Sequence, residues 1–350
     1  MDVTSGSRPA LRESLFVNFI PTWRSQNPSE GHLFLTSLLI LSGIFGVSSS
    51  RVGQRRVAGE GQAEIAVNTS LVLLPVNVTD SRAAFVPGLK LDDFRVFEDG
   101  RPQRLTVFQE GDTPVTVGLI VDHSRSMGNK LASVVAALNS FVHSSNAQDE
   151  MFVVDFNDDV SVELMGGKAF SSDPKELEEA LRAVSARGRT ALYDAVSEGL
   201  LHLQYGHSGK KALIIISDGG DNASHLKYSQ VLAQARQSQT VIYAIALVGA
   251  GDEEENPGLL RRLCKDTGGI AYFPQLGESV ASASAEIAQD LREQYMLGYA
   301  PQNMNHPDAF RKVEVKVTAP GRGRLRVRTR PGYTPAAEKL PTAELKPEGR

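Results

Sequence analysis

From residue 115 onward the chain alternates short apolar runs with amphipathic stretches. VTVGLIVD (115–122), MFVVDFND (151–158), KALIIISD (211–218) and TVIYAIALV (240–248) are apolar at most positions, the pattern of strands covered on both faces. Between and after them, apolar positions recurring every three to four residues predict helices over 129–143, 174–186, 190–204 and 226–238. A short helix at 257–265, a strand GIAYF at 269–273 and a helix over 277–293 complete the series. Strands alternating with helices predict a doubly wound α/β domain with a mainly parallel sheet, here over 113–293.

The flanks follow a different pattern. EIAVNTSLVLLPVNVTD, DFRVFEDG and RLTVFQEGD, within 60–112, read as strands bounded by turn residues. After the last helix, QYMLGYAP, RKVEVKVTAP and GRLRVRTRPGY, within 294–335, read the same way and have no helices between them. Without crossovers they cannot extend a parallel sheet. They are expected to complete the β unit begun before residue 113, giving an antiparallel β-sandwich with the α/β domain inserted in it. The alternative is a separate C-terminal hairpin, although a β unit of about 45 residues is short for a core of its own.

The ends carry other signals. LFLTSLLILSGIFGV at 33–47 has ten Leu, Ile, Phe or Val among its fifteen residues, and Ser48, Ser49 and Ser50 follow it. That length suits the apolar core of an export signal better than a bilayer span of about 20 residues. The arginines Arg8, Arg12 and Arg24 are balanced by Asp2, Glu13 and Glu30, and Arg51, Arg55 and Arg56 follow the run. Residues 1–50 are therefore read as a signal peptide or a retained anchor, with a buried core helix as the third reading. Residues 336–350, polar and containing proline, are expected to be a disordered tail.

Composition narrows the function classes. Thirty-seven basic against forty-one acidic side chains give a net charge of -4, which creates no field to attract nucleic acid. The single cysteine, Cys264, excludes an intrachain disulfide. It falls among Leu259, Leu260 and Leu263 and reads as a small buried hydrophobe. No H-E-x-x-H, Walker A or G-x-S-x-G pattern occurs.

The chemistry gathers at predicted strand ends, where open α/β sheets bind ligands. One strand ends in Asp122-His123-Ser124-Arg125-Ser126 and another in Ser217-Asp218-Gly219, while Gly188-Arg189-Thr190 opens a helix. Asp122, Ser124, Ser126, Thr190 and Asp218 would bring two carboxylates and three hydroxyls to one edge. All are hard oxygen donors, which suit Mg²⁺ or Mn²⁺ better than Zn²⁺. A D-x-S-x-S turn aims alternate side chains to one side, so His123 is expected to point outward.

At these residues the sequence resembles the von Willebrand factor A domain. The metal-ion-dependent adhesion site of that family is built from D-x-S-x-S, a later Thr and a later Asp. The resemblance covers about 113–293 and implies a Rossmann-like fold. It also implies a divalent cation bound by Ser124 and Ser126, by Thr190 directly or through water, and by Asp122 and Asp218 largely through water. Ordinary members often have Gly where this chain has Arg125, a cation that would favour an acidic partner. The flanking strands are similar to exported bacterial VWFA-related proteins best known from acidobacteria.

The resemblance implies a non-enzymatic, exported adhesion module, periplasmic, secreted or associated with the cell envelope. It would bind a protein partner's acidic residue through the cation, with no small-molecule substrate. Two rivals stand beside it: a structural envelope module that the metal only stabilises, and a metal-dependent hydrolase using Asp122 and Asp218. The hydrolase lacks a His or Glu base in the motif.

Other features have plainer readings. Asp194 and Asp221 fit either support for the ligands or the commoner role of helix caps. Arg324, Arg326, Arg328 and Arg330 alternate onto one strand face, read as solvated, with anionic glycan or lipid binding as the alternative. The acidic run Asp252, Glu253, Glu254 and Glu255 reads as a solvated loop.

Overall fold

The computed structural model describes residues 71–335 apart from 165–166, 183–185, 249–254, 275–277 and 303–308. The expectations for the leader, the tail and Asp252, Glu253 and Glu254 lie outside the described residues. The rest belong to one compact unit, Ile65–Arg350. No helix among the described residues is long and apolar enough to cross a membrane.

The centre is a six-stranded sheet made of β5 (Val115–Asp122), β6 (Glu150–Phe156), β7 (Val160–Glu163), β8 (Lys210–Ser217), β9 (Val241–Ala246) and β10 (Ala271–Tyr272). Their order is β10-β9-β8-β5-β6-β7. All neighbours are parallel except β7, which runs antiparallel to β6 at the edge. The unbroken apolar runs follow from burial on both faces. On one face Val117, Leu119 and Val121 pack with α1 (Leu131–His143), α2 (Pro174–Arg182) and α6 (Glu278–Arg292). On the other, Ile120, Leu213 and Ile215 pack with α3 (Leu192–His202), α4 (Tyr228–Ser238) and α5 (Pro257–Thr267). This is the doubly wound α/β fold that the periodicity predicts.

Cys264 sits in the second of these cores, 1% exposed, beside Leu260 and Leu263. Burial pushes its thiol well above the ordinary range, which leaves almost no thiolate at neutral pH. The native protein should therefore resist a thiol-reactive chromogenic disulfide and release one equivalent on unfolding; rapid reaction in the native state would contradict the packing.

The flanking strands form two further antiparallel sheets. In the first, β1 (Val72–Thr79) lies between β11 (Tyr295–Tyr299) and β13 (Arg326–Arg328), and β4 (Leu105–Glu110) pairs with β11. In the second, β2 (Phe94–Glu98) lies between β3 (Arg101–Gln103) and β12 (Arg311–Val317), with β14 (Gly332–Tyr333) beyond β12. Val72, Leu74, Val76 and Val78 face inward at every second position of β1 and share one core with Phe94, Tyr295, Leu297, Val313 and Tyr333. Strands from before and after the α/β domain thus pair with one another in both sheets, alternating in the first and meeting at β12 and β2 in the second.

The β strands are tied to α6 by a polar cluster around Asp290. Arg328 donates from Nη2 to both Asp290 carboxylate oxygens (2.5 and 2.6 Å), Tyr243 donates its hydroxyl (2.6 Å) and Asn77 its amide (2.9 Å). The arginine row is accordingly not one solvated face. Arg324 and Arg326 are exposed, but Arg330 is only 4% exposed and donates to the Leu73 carbonyl at 2.8 Å. The sheet runs under the α/β domain from one end of β13 to the other, and the alternation follows it inward.

Candidate functional site

Strands β5 and β8 are adjacent, parallel and in register, with Val121 opposite Ile216, so their carboxyl ends deliver Asp122 and Ser217 to the same edge. The Ser217 hydroxyl donates to Asp122 Oδ2 at 2.6 Å, and the backbone N–H of Ser124 donates to Oδ1 at 2.8 Å. Asp122 is fully buried and acts as the post around which the D-x-S-x-S turn closes. A short 3₁₀ turn, Arg125–Met127, follows, and Met127, 0% exposed in the core, anchors it.

The turn brings the two serines together, with Oγ atoms 3.1 Å apart, and Ser126 donates to Asp218 Oδ2 at 2.6 Å. Four of the five predicted side chains are therefore linked through hydrogen bonds. Gly219 fixes the direction of the chain after Asp218. Its φ is +85° and a Cβ there would lie 2.5 Å from the Asn256 carbonyl, so both conformation and close approach require glycine.

Thr190 reaches the same edge through its backbone. Arg187 N–H donates to the His123 carbonyl (2.9 Å) and Arg125 N–H to the Gly188 carbonyl (3.3 Å), so the two loops run side by side. Asn222 Oδ1 accepts from the Thr190 N–H at 2.9 Å, and Asn222 and Ala223 return hydrogen bonds to the Thr190 carbonyl. Thr190 is 5% exposed.

Three residues that the motif did not announce complete the site. Ser217 orients Asp122, and its signal was its place at the end of an apolar strand immediately before Asp218. Lys130, 3% exposed, holds its ammonium 3.0 Å from Glu255 Oε1 and 3.5 Å from Asp218 Oδ2. Glu255 is thereby corrected from a solvated loop residue to a buried one, its side chain 5% exposed; the close approach at Gly219 carries this loop over the strand ends. A glutamate does stand near Asp218 after all, ion-paired to Lys130.

His123 is also corrected. Asp122 turns toward β8, so the next side chain turns toward β6, where its Nδ1 contacts Asp155 Oδ1. The ring is 2% exposed, and burial lowers its pKa to about 4. Asp194 and Asp221 serve the neighbouring loop. Asp194 accepts from the N–H groups of His225 and Leu226, both at 2.9 Å. Asp221 accepts from the Tyr193 N–H in the first turn of α3 at 3.2 Å, which satisfies a donor that the helix itself cannot.

Burial makes the Asp122 carboxylate costly to ionise. Asp122 is raised to about 6, chiefly by burial, against the lowering effect of its hydrogen bonds from Ser124 and Ser217. Asp218 adds to the rise. No group of three or more His, Cys, Asp or Glu gathers as a metal cluster among the described residues; the donors here are mostly hydroxyls. Two carboxylates, two mutually hydrogen-bonded serines and a threonine are hard oxygen donors, the type that small divalent cations prefer.

A doubly wound α/β domain with a carboxylate and hydroxyl cluster at the edge shared by two adjacent strands is the class of protein these observations define. The family model of the von Willebrand factor type A domain matches residues 117–285, and this part of the chain is a von Willebrand factor type A domain. Similar solved structures include the conserved hypothetical protein BatB from Bacteroides thetaiotaomicron, 19% identical over 51% of this chain and 97% of that one, with a TM-score of 0.41. A von Willebrand factor type A protein from Catenulispora acidiphila is 14% identical over 68% and 72%, with a TM-score of 0.46. The von Willebrand factor domain of the type V pili tip protein Mfa5 from Porphyromonas gingivalis is 14% identical over 51% and 95%, with a TM-score of 0.42. A search of curated protein sequences found no match.

Proposed function

We propose that this protein is an exported, non-enzymatic binding module in which a divalent cation, magnesium or manganese, recruits a carboxylate from a protein partner. Asp122, Ser124, Ser126, Thr190 and Asp218 would hold the cation. When bound, it supplies a concentrated positive charge with affinity for carboxylate oxygen. The chain's own part is to fix those donors: Ser217 and the Ser124 N–H hold Asp122, Ser126 meets Asp218, and backbone bonds with Asn222 and Ala223 hold the Thr190 segment. The observation that carries this reading is the linked set of oxygen donors at the strand edge, Ser124 and Ser126 with their hydroxyls 3.1 Å apart, Ser126 bonded to Asp218, and Asp122 buried beside them. Export is supported by the apolar run at 33–47. Binding is favoured over hydrolysis because His123 is buried out of reach of a substrate and Glu255 is ion-paired to Lys130.

The Asp122→Ala variant tests the proposal. Manganese affinity, read by titration calorimetry or by the free-ion electron paramagnetic resonance signal, should fall roughly 10- to 100-fold. The variant also leaves the Ser124 N–H and Ser217 hydroxyl without an acceptor, at about 1–3 kcal/mol, so circular dichroism must accompany the titration. In the wild type, cation affinity should fall as pH drops through about 6, because Asp122 then takes up a proton in place of the cation. Partner capture that persists in EDTA would sink the proposal. A cation that raises the melting temperature but leaves capture unchanged would support a purely structural metal.

A further inference from the structure

Arginines stand on the loops that adjoin the candidate cation site. Asp122, Asp218 and Glu255 are three carboxylates in the buried cluster, and the Lys130 ammonium with one divalent cation matches their charge. On the adjoining loops, Arg189 is taken by Asp158, its Nε 2.8 Å from Oδ1. Arg125 and Arg187 are different. Both are exposed, and neither guanidinium forms a hydrogen bond or ion pair among the described residues. The backbone bonds Arg187 N–H to His123 and Arg125 N–H to Gly188 place them on two loops that run side by side along the edge of the site. The remaining acid on these loops, Asp159, is exposed in the turn after β6 and leaves a surplus of positive charge.

From this arrangement we infer that the partner presents a run of acidic residues rather than a lone carboxylate, one for the cation and the following ones for Arg125 and Arg187. The inference rests on the cation-dependent reading of the site and specifies the partner's chemistry. Guanidinium is suited to it, since its planar fork takes a carboxylate through two parallel hydrogen bonds. Arg189 does not contribute while Asp158 holds it. Glu255 is held by Lys130, and the acidic run should extend from the cation toward the α2–α3 loop, which carries Arg187. Because Arg125 and Arg187 are solvated, their part should be salt-sensitive, and the cation's part less so.

Fluorescence anisotropy on the full chain would test this, with two fluorescein-labelled glycine peptides in saturating Mg²⁺, one carrying a single aspartate and the other a run of four. The run should bind about tenfold more tightly. The gain should vanish in an Arg125→Gln, Arg187→Gln double variant, whose binding of the single-aspartate peptide and of Mn²⁺ stays unchanged. Equal affinity for the two peptides, or a gain that survives in the double variant, overturns the arginine assignment while leaving the cation site standing. Binding of a heparin oligosaccharide without binding of the aspartate run overturns it in favour of a sulfated glycan. Absence of Mn²⁺ uptake by the wild type in a direct titration overturns the cation reading and this inference together.

Discussion

Replacing Lys130 with methionine is expected to destabilise the cation-free protein by about 3 kcal/mol or more and to tighten its hold on divalent cations. The ammonium lies between two buried carboxylates, 3.0 Å from Glu255 and 3.5 Å from Asp218. Methionine keeps most of the apolar stem, so the change is chiefly electrostatic: two carboxylates lose their shared counterion while staying out of water. A bound cation would then supply part of the missing charge. Urea unfolding of wild type and variant, each in EDTA and in excess Mg²⁺, reads both effects. The gap between the two proteins should narrow in Mg²⁺, and Mn²⁺ titration should show higher affinity in the variant. Equal unfolding midpoints in EDTA would mean that the ion pairs contribute nothing to stability.

The second large effect is expected at Asp290. Its carboxylate accepts from Arg328, Tyr243 and Asn77, and its side chain is 16% exposed. Asp290→Ala strands a guanidinium, a phenol and an amide at the junction of α6 with the flanking strands, a loss of about 3 kcal/mol. Asp290→Asn keeps an acceptor but gives up the charge, and should fall between. Denaturant unfolding followed by far-ultraviolet circular dichroism checks the order. If alanine and asparagine cost the same, the hydrogen bonds matter little beside the charge.

How much of this is legible in the sequence depends on what each feature needs. Strands β5, β6, β8 and β9 could be read because burial on both faces leaves almost no polar residue in them. The edge strand β7 could not: VSVE is short and half-polar, and its pairing with β6 is visible only once β6 has a free edge. The links among Asp122, Ser124, Ser126 and Asp218 follow from local turn geometry and adjacent strands, which spacing encodes. Lys130 and Glu255 depend on a loop approaching from 125 residues away; a lysine at the start of a helix and a glutamate in an acidic run each look solvated until that approach is known. His123 failed for a related reason, since the side on which Asp155 waits is set by the neighbouring strand. Alternation placed the arginines of the last long strand together but carried no sign of which end lies beneath α6.

The pairing of early with late strands in both outer sheets sets an order of events. β1 takes its two hydrogen-bonded neighbours from β11 and β13, and β2 needs β12 on one side. As the chain emerges from its N-terminus, all the contacts of the central α/β domain can form before β12 and β13 exist. Pairings of such long sequence separation are slow to close, and until they do β1 offers two bare edges for pairing with another chain. The central domain can therefore close before the outer sheets, and β1, the first of the described strands, is among the last to be sealed.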